Sequence, residues 1–374
     1  MTRHFYTQLI IIMSTVFLLV GCRKELKVSV PKNDSASFST EKKVTKNPDE
    51  KRLQNFIETK MVQKKGIYTN YRNYPPQKEV ATGHEMLSES SGLWLEHLAR
   101  THQNRKFVDF YQRTKKSFDL GAQFSYRLNP STNKKSKVNA TLDDLRIIRA
   151  LQMYAQNTGS KKYRREAAKR FALLQTTSIQ KDRVLNFYDV SSKKRSNEGS
   201  LSYYDLLTLR YFESTSKAGE KDYQKQVKLI ENGYLGDIFP LYYSSYNWST
   251  KQYSNSDLNT SEALVTLLHL SEVHKMKSTS LDWLKMQVDD QHLYNRYSIS
   301  GVVQDRNQAA ANYALAAMIF ANQNDQDYYK KAINLALKGQ VKDKNSKIYG
   351  AIGDLKTNDA YSFNNLLTLV ASEY

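Results

Sequence analysis

Three groups of carboxylates stand where a side chain can leave a packed helix and face a cleft. The first is Glu89, in Met86-Leu87-Ser88-Glu89-Ser90-Ser91-Gly92-Leu93-Trp94-Leu95. Leu93, Trp94, Leu98 and Ala99 follow at helical spacing, so Ser88 and Glu89 belong to the first turn. The second is the pair Asp143 and Asp144, directly before Leu145. The third is Asp257, on a predicted loop before Asn259 and Glu262, whose spacing reads as a capping box. A carboxyl group held at such a place can give or take a proton during bond cleavage. It can equally be a favourable partner for the positive end of the helix. The residues alone leave both readings open.

Other chemistries find little footing. There is no Gly-x-Ser-x-Gly elbow, no P-loop and no Gly-x-Gly-x-x-Gly. The seven histidines form no His-Glu-x-x-His pair, and Cys22 is the single cysteine, so no disulfide forms within one chain. No metal or organic cofactor is expected.

A chain of 374 residues with 40% apolar content can bury a sizeable core. Its net charge of +19 points to an anionic neighbourhood: nucleic acid, a membrane surface or an acidic wall polymer. No nucleic-acid-binding motif accompanies the charge, so nucleic acid is not expected as a partner. The 26 tyrosines suit core packing and sugar-binding clefts alike. Arg3 and His4 precede an apolar run that ends in Leu19-Val20-Gly21-Cys22. This resembles a bacterial lipobox, which implies a signal peptide over 1–21 and lipidation of Cys22. The chain beyond it is expected on the outer face of the cell membrane, attached through that lipid.

Residues 22–66 read as a flexible basic tether. Leu53, Phe56, Ile57 and Met61 predict a short helix over 52–62 within it. The compact domain is expected over 67–374. Helical periodicity there predicts helices at 88–101, 105–117, 142–157, 161–177, 202–215, 220–232, 260–274, 280–286, 308–322 and 326–338. A hairpin is predicted within 184–190, and the tyrosine-rich stretch 242–253 reads as irregular. No fixed repeat of about 34–47 residues is visible, which argues against a solenoid. The fold class is all-α.

Four regions resemble glycoside hydrolase family 8. Ser88, Glu89 and Gly92 match its Ser-Glu-Gly-x-Gly-Tyr motif, with Ser90 and Leu93 as departures. Ala140, Thr141, Asp144, Leu145 and Ile147 match Ala-Thr-Asp-x-Asp-Leu-x-Ile, where Leu142 replaces the first Asp and Asp143 follows it. Asp257 after Tyr253 is similar to the family's base-bearing loop, without the usual Arg. Asp257-Leu258-Asn259-Thr260-Ser261 looks like the branch of Gram-positive lipoproteins that accompany exopolysaccharide synthesis. Tyr349-Gly350-Ala351-Ile352-Gly353-Asp354 and Tyr361-Ser362-Phe363-Asn364-Asn365 resemble late segments of that branch.

The resemblance implies an (α/α)6 barrel and inverting hydrolysis of a β-linked polysaccharide by two carboxylates. Glu89 would be the general acid and Asp257 the general base. Asp144, with Asp143 as a displaced substitute, would hold the sugar beside the scissile bond. Tyr126, Tyr203, Tyr204, Trp94, Tyr349 and Tyr361 would line the substrate path, with Gly350 and Gly353 admitting a ligand close to the backbone. The expected partners are the polysaccharide, the membrane through Cys22 and the exopolysaccharide-synthesis machinery, around a monomer. The alternative is a lipoprotein of the same fold that binds polysaccharide without cutting it.

Overall fold

The structure, a computed structural model, describes residues 26–31, 37–38, 47–78 and 80–374. The signal segment and Cys22 lie outside these residues. Twelve α-helices are present among the described residues: α1 (Pro48–Phe56), α2 (Ser88–Arg100), α3 (Asn104–Phe118), α4 (Thr141–Thr158), α5 (Lys161–Leu174), α6 (Leu206–Glu213), α7 (Lys217–Asn232), α8 (Thr260–Glu272), α9 (Ser278–Asp290), α10 (Ala310–Asn322), α11 (Gln326–Leu337) and α12 (Ser362–Ala371). The even-numbered helices pack side by side, and α12 returns to α2, closing an inner ring. The odd-numbered helices pack around it, with α1 against α12. This is an (α/α)6 barrel.

Sequence decides which helices are inside. In α10, Ala311 through Phe320 are all buried, and a helix apolar on every side must be covered on every side. In contrast, α3 buries only the stripe Phe107, Phe110, Tyr111, Thr114 and Phe118, and lies outside.

The two ends of the barrel differ. At one end the inner helices α2, α4, α6, α8 and α10 turn straight into their outer partners. His102, Gly159, His274 and Asn324 take positive φ (54°, 68°, 58° and 59°) just after α2, α4, α8 and α10. A left-handed residue there closes a helix and reverses the chain, and His and Asn tolerate it better than most. At the other end the returns are long and carry small sheets: β1–β2–β3 (Met86–Leu87, Arg127–Asn129, Lys134–Lys135), β4–β5 (Ile179–Gln180, Arg183–Val184), β6–β7–β8 (Glu198–Ser200, Ser245–Asn247, Gln252–Tyr253) and β9–β10–β11 (Leu258–Asn259, Arg296–Tyr297, Val303–Asp305). These sheets hold the inner helix starts in place. The backbone N–H of Ser88 donates to Tyr126 (3.1 Å), Thr141 to Asn186 (3.1 Å), Thr260 to Asn295 (3.0 Å) and Ser362 to Thr69 (2.9 Å), and Leu201, in the short turn ahead of α6, donates to Ser244 (2.9 Å). Each otherwise orphaned donor is satisfied by a neighbouring loop, so the starts are fixed relative to one another.

Three expectations change. The barrel begins at α1 rather than at residue 67: Leu53, Phe56, Ile57 and Met61 are buried, so the predicted short helix is the last outer stave. The tyrosine-rich stretch contains the β7–β8 hairpin. The segment after Tyr361 is α12, with Leu366, Leu367, Leu369 and Val370 in the core.

Candidate active site

At the sheet-bearing end the inner helix starts converge on a cleft of about 640 Å³. Glu89 is the second residue of α2, Asp143 the third of α4 and Glu262 the third of α8. All three line this cleft, with Arg146, Tyr203, Asn259, Asp305 and Tyr361. Arg146 Nη1 lies 3.0 Å from Glu89 Oε1 and 3.5 Å from Asp143 Oδ1. Ser88 Oγ donates to Asp143 Oδ2 at 2.8 Å. Among the described residues, the Glu262 carboxylate makes no hydrogen bond or ion pair.

Glu89 and Asp143 therefore share one guanidinium, with Glu262 lining the same cleft, and the excess negative charge shows in the titration of Asp143 and Glu262. Burial, then the charge of Glu89, pushes the Asp143 carboxyl up to about 8. Burial and the same Glu89 charge raise Glu262. Burial, with Asp143, Glu262 and Glu89 nearby, raises the Tyr203 phenol, so it remains an O–H donor. Asp143 thus holds its proton near neutral pH. The helix dipole acts the other way on Asp143 and Glu262.

Two further hollows extend the cleft. One of about 480 Å³ shares Tyr203 and Glu262 with it and adds Tyr126, Phe187 and Glu198. The other, about 510 Å³, shares Ala309, Tyr361 and Asn364 and adds Gly353, Asp354 and Asp359. Together with the cleft they form a row of hollows joined by shared lining residues.

No protein-family model matches this sequence. YdaJ of Bacillus subtilis (strain 168), named as a lipoprotein, is 30% identical over 292 residues, covering 76% of this chain and 78% of YdaJ. A solved structure described as a novel alpha-amylase from Clostridium perfringens is 27% identical, with a TM-score of 0.80, covering 88% of this chain and 99% of that one. Endoglucanase Cel10 from Klebsiella pneumoniae, a family 8 glycosyl hydrolase, shares the fold at a TM-score of 0.55 and 16% identity, over 77% of this chain and 97% of that one. This chain belongs to the same family as YdaJ, and it shares the fold of family 8 glycoside hydrolases.

The predicted residues divide by where the structure places them. Glu89, Asp143, Tyr203 and Tyr361 line the central cleft, and Tyr126 lines its extension. Asp144 does not reach it. One step along α4 turns a side chain by about 100°, and Asp144 instead accepts from Phe124 N (2.9 Å) and Asn139 Nδ2 (2.9 Å). Asp143 has the cleft position. Trp94 is buried against His97, and Tyr204 is buried with its hydroxyl accepting from Val184 N. Neither lines the groove, because both belong to faces turned into the core. Tyr349 also lies outside the groove lining. Gly350 (φ 90°) is needed for α1: a Cβ there would stand 2.6 Å from the Arg52 carbonyl oxygen. Asp257 is exposed before β9, two residues from the lining residue Asn259, and is not itself among the cleft-lining residues.

The family motif's departures have local partners. Ser90 Oγ bonds Ser362 Oγ at 2.9 Å, tying α2 to α12, and Leu93 is core. Gly92 is required where α2 crosses α4, since a Cβ would meet Arg146 Cβ at 2.9 Å. Glu262 and Arg146 were missed from sequence. Asn259 does cap the Glu262 N–H, yet the Glu262 carboxylate lines the cleft. Arg146, one helical turn after Asp143, was the available signal.

Among the described residues one group is close enough to hold a cation: Asp205, His269 and Glu272, deeper on the axis. Its carboxylates are already paired with Arg149, which lies 3.4 Å from Asp205 Oδ1 and 2.9 Å from Glu272 Oε2. The fit for a metal is poor.

Proposed function

We propose that this protein is a surface-anchored glycoside hydrolase that cleaves a polysaccharide by inversion. The observation that carries this reading is the convergence of Glu89, Asp143 and Glu262 in one cleft, with Arg146 between Glu89 and Asp143. Glu89 protonates the glycosidic oxygen of the leaving sugar. A second carboxylate takes a proton from the water that attacks the opposite face of the anomeric carbon. The resemblance assigns that role to Asp257, while the cleft offers Glu262; shared lining with Glu89 favours Glu262. Asp143 and Tyr203 hold the sugar between them. The anchor is the lipid on Cys22, in keeping with a lipoprotein relative. Among the described residues, no helix is long and apolar enough to cross a membrane.

The substrate proposed first is a β-linked exopolysaccharide made by the same cell, on the strength of the branch-like segments around Asp257 and Tyr349. A second substrate, an α-linked glucan, is favoured by the likeness to the Clostridium perfringens amylase, at higher identity and TM-score than Cel10. The test incubates the mature domain with the cell's own exopolysaccharide, carboxymethyl-cellulose, chitosan and soluble starch, and measures released reducing ends. Release from the exopolysaccharide supports the first substrate, and release from starch alone the second. Tight binding with no release from any of them replaces hydrolysis by a non-catalytic role.

A further inference from the structure

We propose that the cleft selects an N-acetylated sugar, with the ring laid on Tyr361 and the acetamido carbonyl taken by Asn364. The proposal names a substrate class for the site and rests on the polysaccharide reading above. Three observations carry it.

The first is how Asn364 is held. Its Oδ1 accepts from Ala311 N–H at 3.1 Å, in the first turn of α10. A backbone N–H can only donate, so this bond fixes which end of the amide is oxygen. The NH2 group is turned away from α10, and it has no partner among the described residues. Asn364 lines both the central cleft and the hollow of about 510 Å³ beside it, so a fixed donor stands where the two spaces join. The same arrangement recurs around it. Asn259 Oδ1 accepts from Glu262 N–H (3.2 Å), Asn295 Oδ1 from Asn312 Nδ2 (3.2 Å) and Gln308 Oε1 from the Tyr313 hydroxyl. Each is left with an NH2 group to offer on the wall of the cleft or the hollow. A hydroxyl both gives and takes, and an amide presenting either atom serves it. Amides that present only NH2 favour a substituent that only accepts.

The second observation is the charge of the walls, which says what kind of acceptor fits. Glu89, Asp143, Glu262 and Asp305 line the cleft against Arg146 and Arg296, and Asp354 and Asp359 line the hollow against Lys338. This excess of carboxyl groups disfavours a carboxylate or sulfate on the sugar. The acceptor is therefore a neutral one, and an acetyl carbonyl has that chemistry.

The third is the room left for the rest of the group. Ala309 lines both spaces and Ala310 lines the hollow, with Ile352 beside them. Their short side chains leave space for a methyl group and give it apolar contact. Tyr361 also lines both spaces and is 44% exposed. It is the residue that enters α12, and Asn364 is the third residue of that helix. These positions are neighbours across a first turn. A sugar ring on the apolar face of Tyr361 thus brings its substituent within reach of the Asn364 amide.

The test is calorimetric binding to the mature chain carrying Glu89→Gln, which keeps the oligomers whole. The probes are β-1,4-linked hexamers of N-acetylglucosamine, glucosamine and glucose, which share one backbone. The acetylated hexamer should bind about tenfold more tightly than the glucose hexamer, the scale of one hydrogen bond and one buried methyl group. Asn364→Asp keeps the cap on Ala311, since a carboxylate oxygen also accepts, and removes the donor. It should weaken the acetylated hexamer by about tenfold. It should leave the glucose hexamer unchanged and strengthen the glucosamine hexamer at mildly acid pH, where the amine is charged. Ala310→Leu fills the space for the methyl group and should weaken the acetylated hexamer alone. Equal affinity for the acetylated and glucose hexamers, no binding of the acetylated one, or an equal loss for all three probes in Asn364→Asp would overturn the proposal. Cleavage is not read, so a failure of the hydrolysis reading shows separately, as absent reducing-end release by the unsubstituted protein.

Discussion

Replacing Asp143 by Asn separates what this carboxylate does for chemistry from what it costs the fold. The substitution keeps the shape, and Asn Oδ1 can still accept from Ser88 Oγ, which donates to Asp143 at 2.8 Å. Burial and the Glu89 charge raise the Asp143 carboxyl from 3.8 to about 8. The folded state therefore binds more protons than the unfolded chain between those values, and this group makes stability fall as pH rises. Each pH unit separating the folded from the unfolded value corresponds to about 1.4 kcal/mol, which sets a ceiling of about 6 kcal/mol. A few kcal/mol is the realistic scale, since the carboxylate's partners Ser88 and Arg146 also change. Asp143→Asn should thus match the parent below pH 4 and become increasingly the more stable protein up to pH 8, while losing activity throughout. Denaturant unfolding of both proteins across that window is the assay. A stability gap that is flat, or that shrinks as pH rises, would refute the reasoning.

Other outcomes follow from the same geometry. Glu89→Gln and Glu262→Gln should each lower turnover by about 10²–10⁴ without loss of folding, and Asp257→Asn by much less; the reverse order for the last two returns the base to Asp257. Gly92→Ala places a methyl group 2.9 Å from Arg146 Cβ and should displace the guanidinium from Glu89. Its stability should change by less than about 2 kcal/mol, because the overpacking cost is partly offset by better helix propensity, whereas kcat should drop clearly. Cys22→Ala should move the protein from the membrane fraction into the medium or an unprocessed precursor, read by fractionation.

Much of the architecture was legible because inner and outer helices have different hydrophobic patterns. The all-round apolar run of α10 and the single stripe of α3 each predict their layer. The closing stave α1 was harder to see, since Leu53, Phe56, Ile57 and Met61 are embedded in a basic, polar stretch that resembles a tether. Among the cleft-lining carboxylates, Glu89 stands out in the sequence by its motif, and Asp143 only as one of a pair with Asp144. Which of the two faces the cleft depends on helix phase, fixed only when Thr141 N–H is tied to Asn186. Glu262 was hidden by a local explanation that is half correct: Asn259 caps its N–H, and the carboxylate was free to do something else. Trp94 and Tyr204 were assigned to sugar because aromatic type alone does not distinguish a core face from a cleft face.

The most direct measurement of the central claim is the anomeric configuration of freshly released product, followed by proton NMR before mutarotation. Two carboxylates acting on a sugar and a water predict that the first product has the anomeric configuration opposite to the bond cleaved, and that Glu89→Gln abolishes its appearance. Retention of configuration, or full activity of Glu89→Gln, would contradict the account.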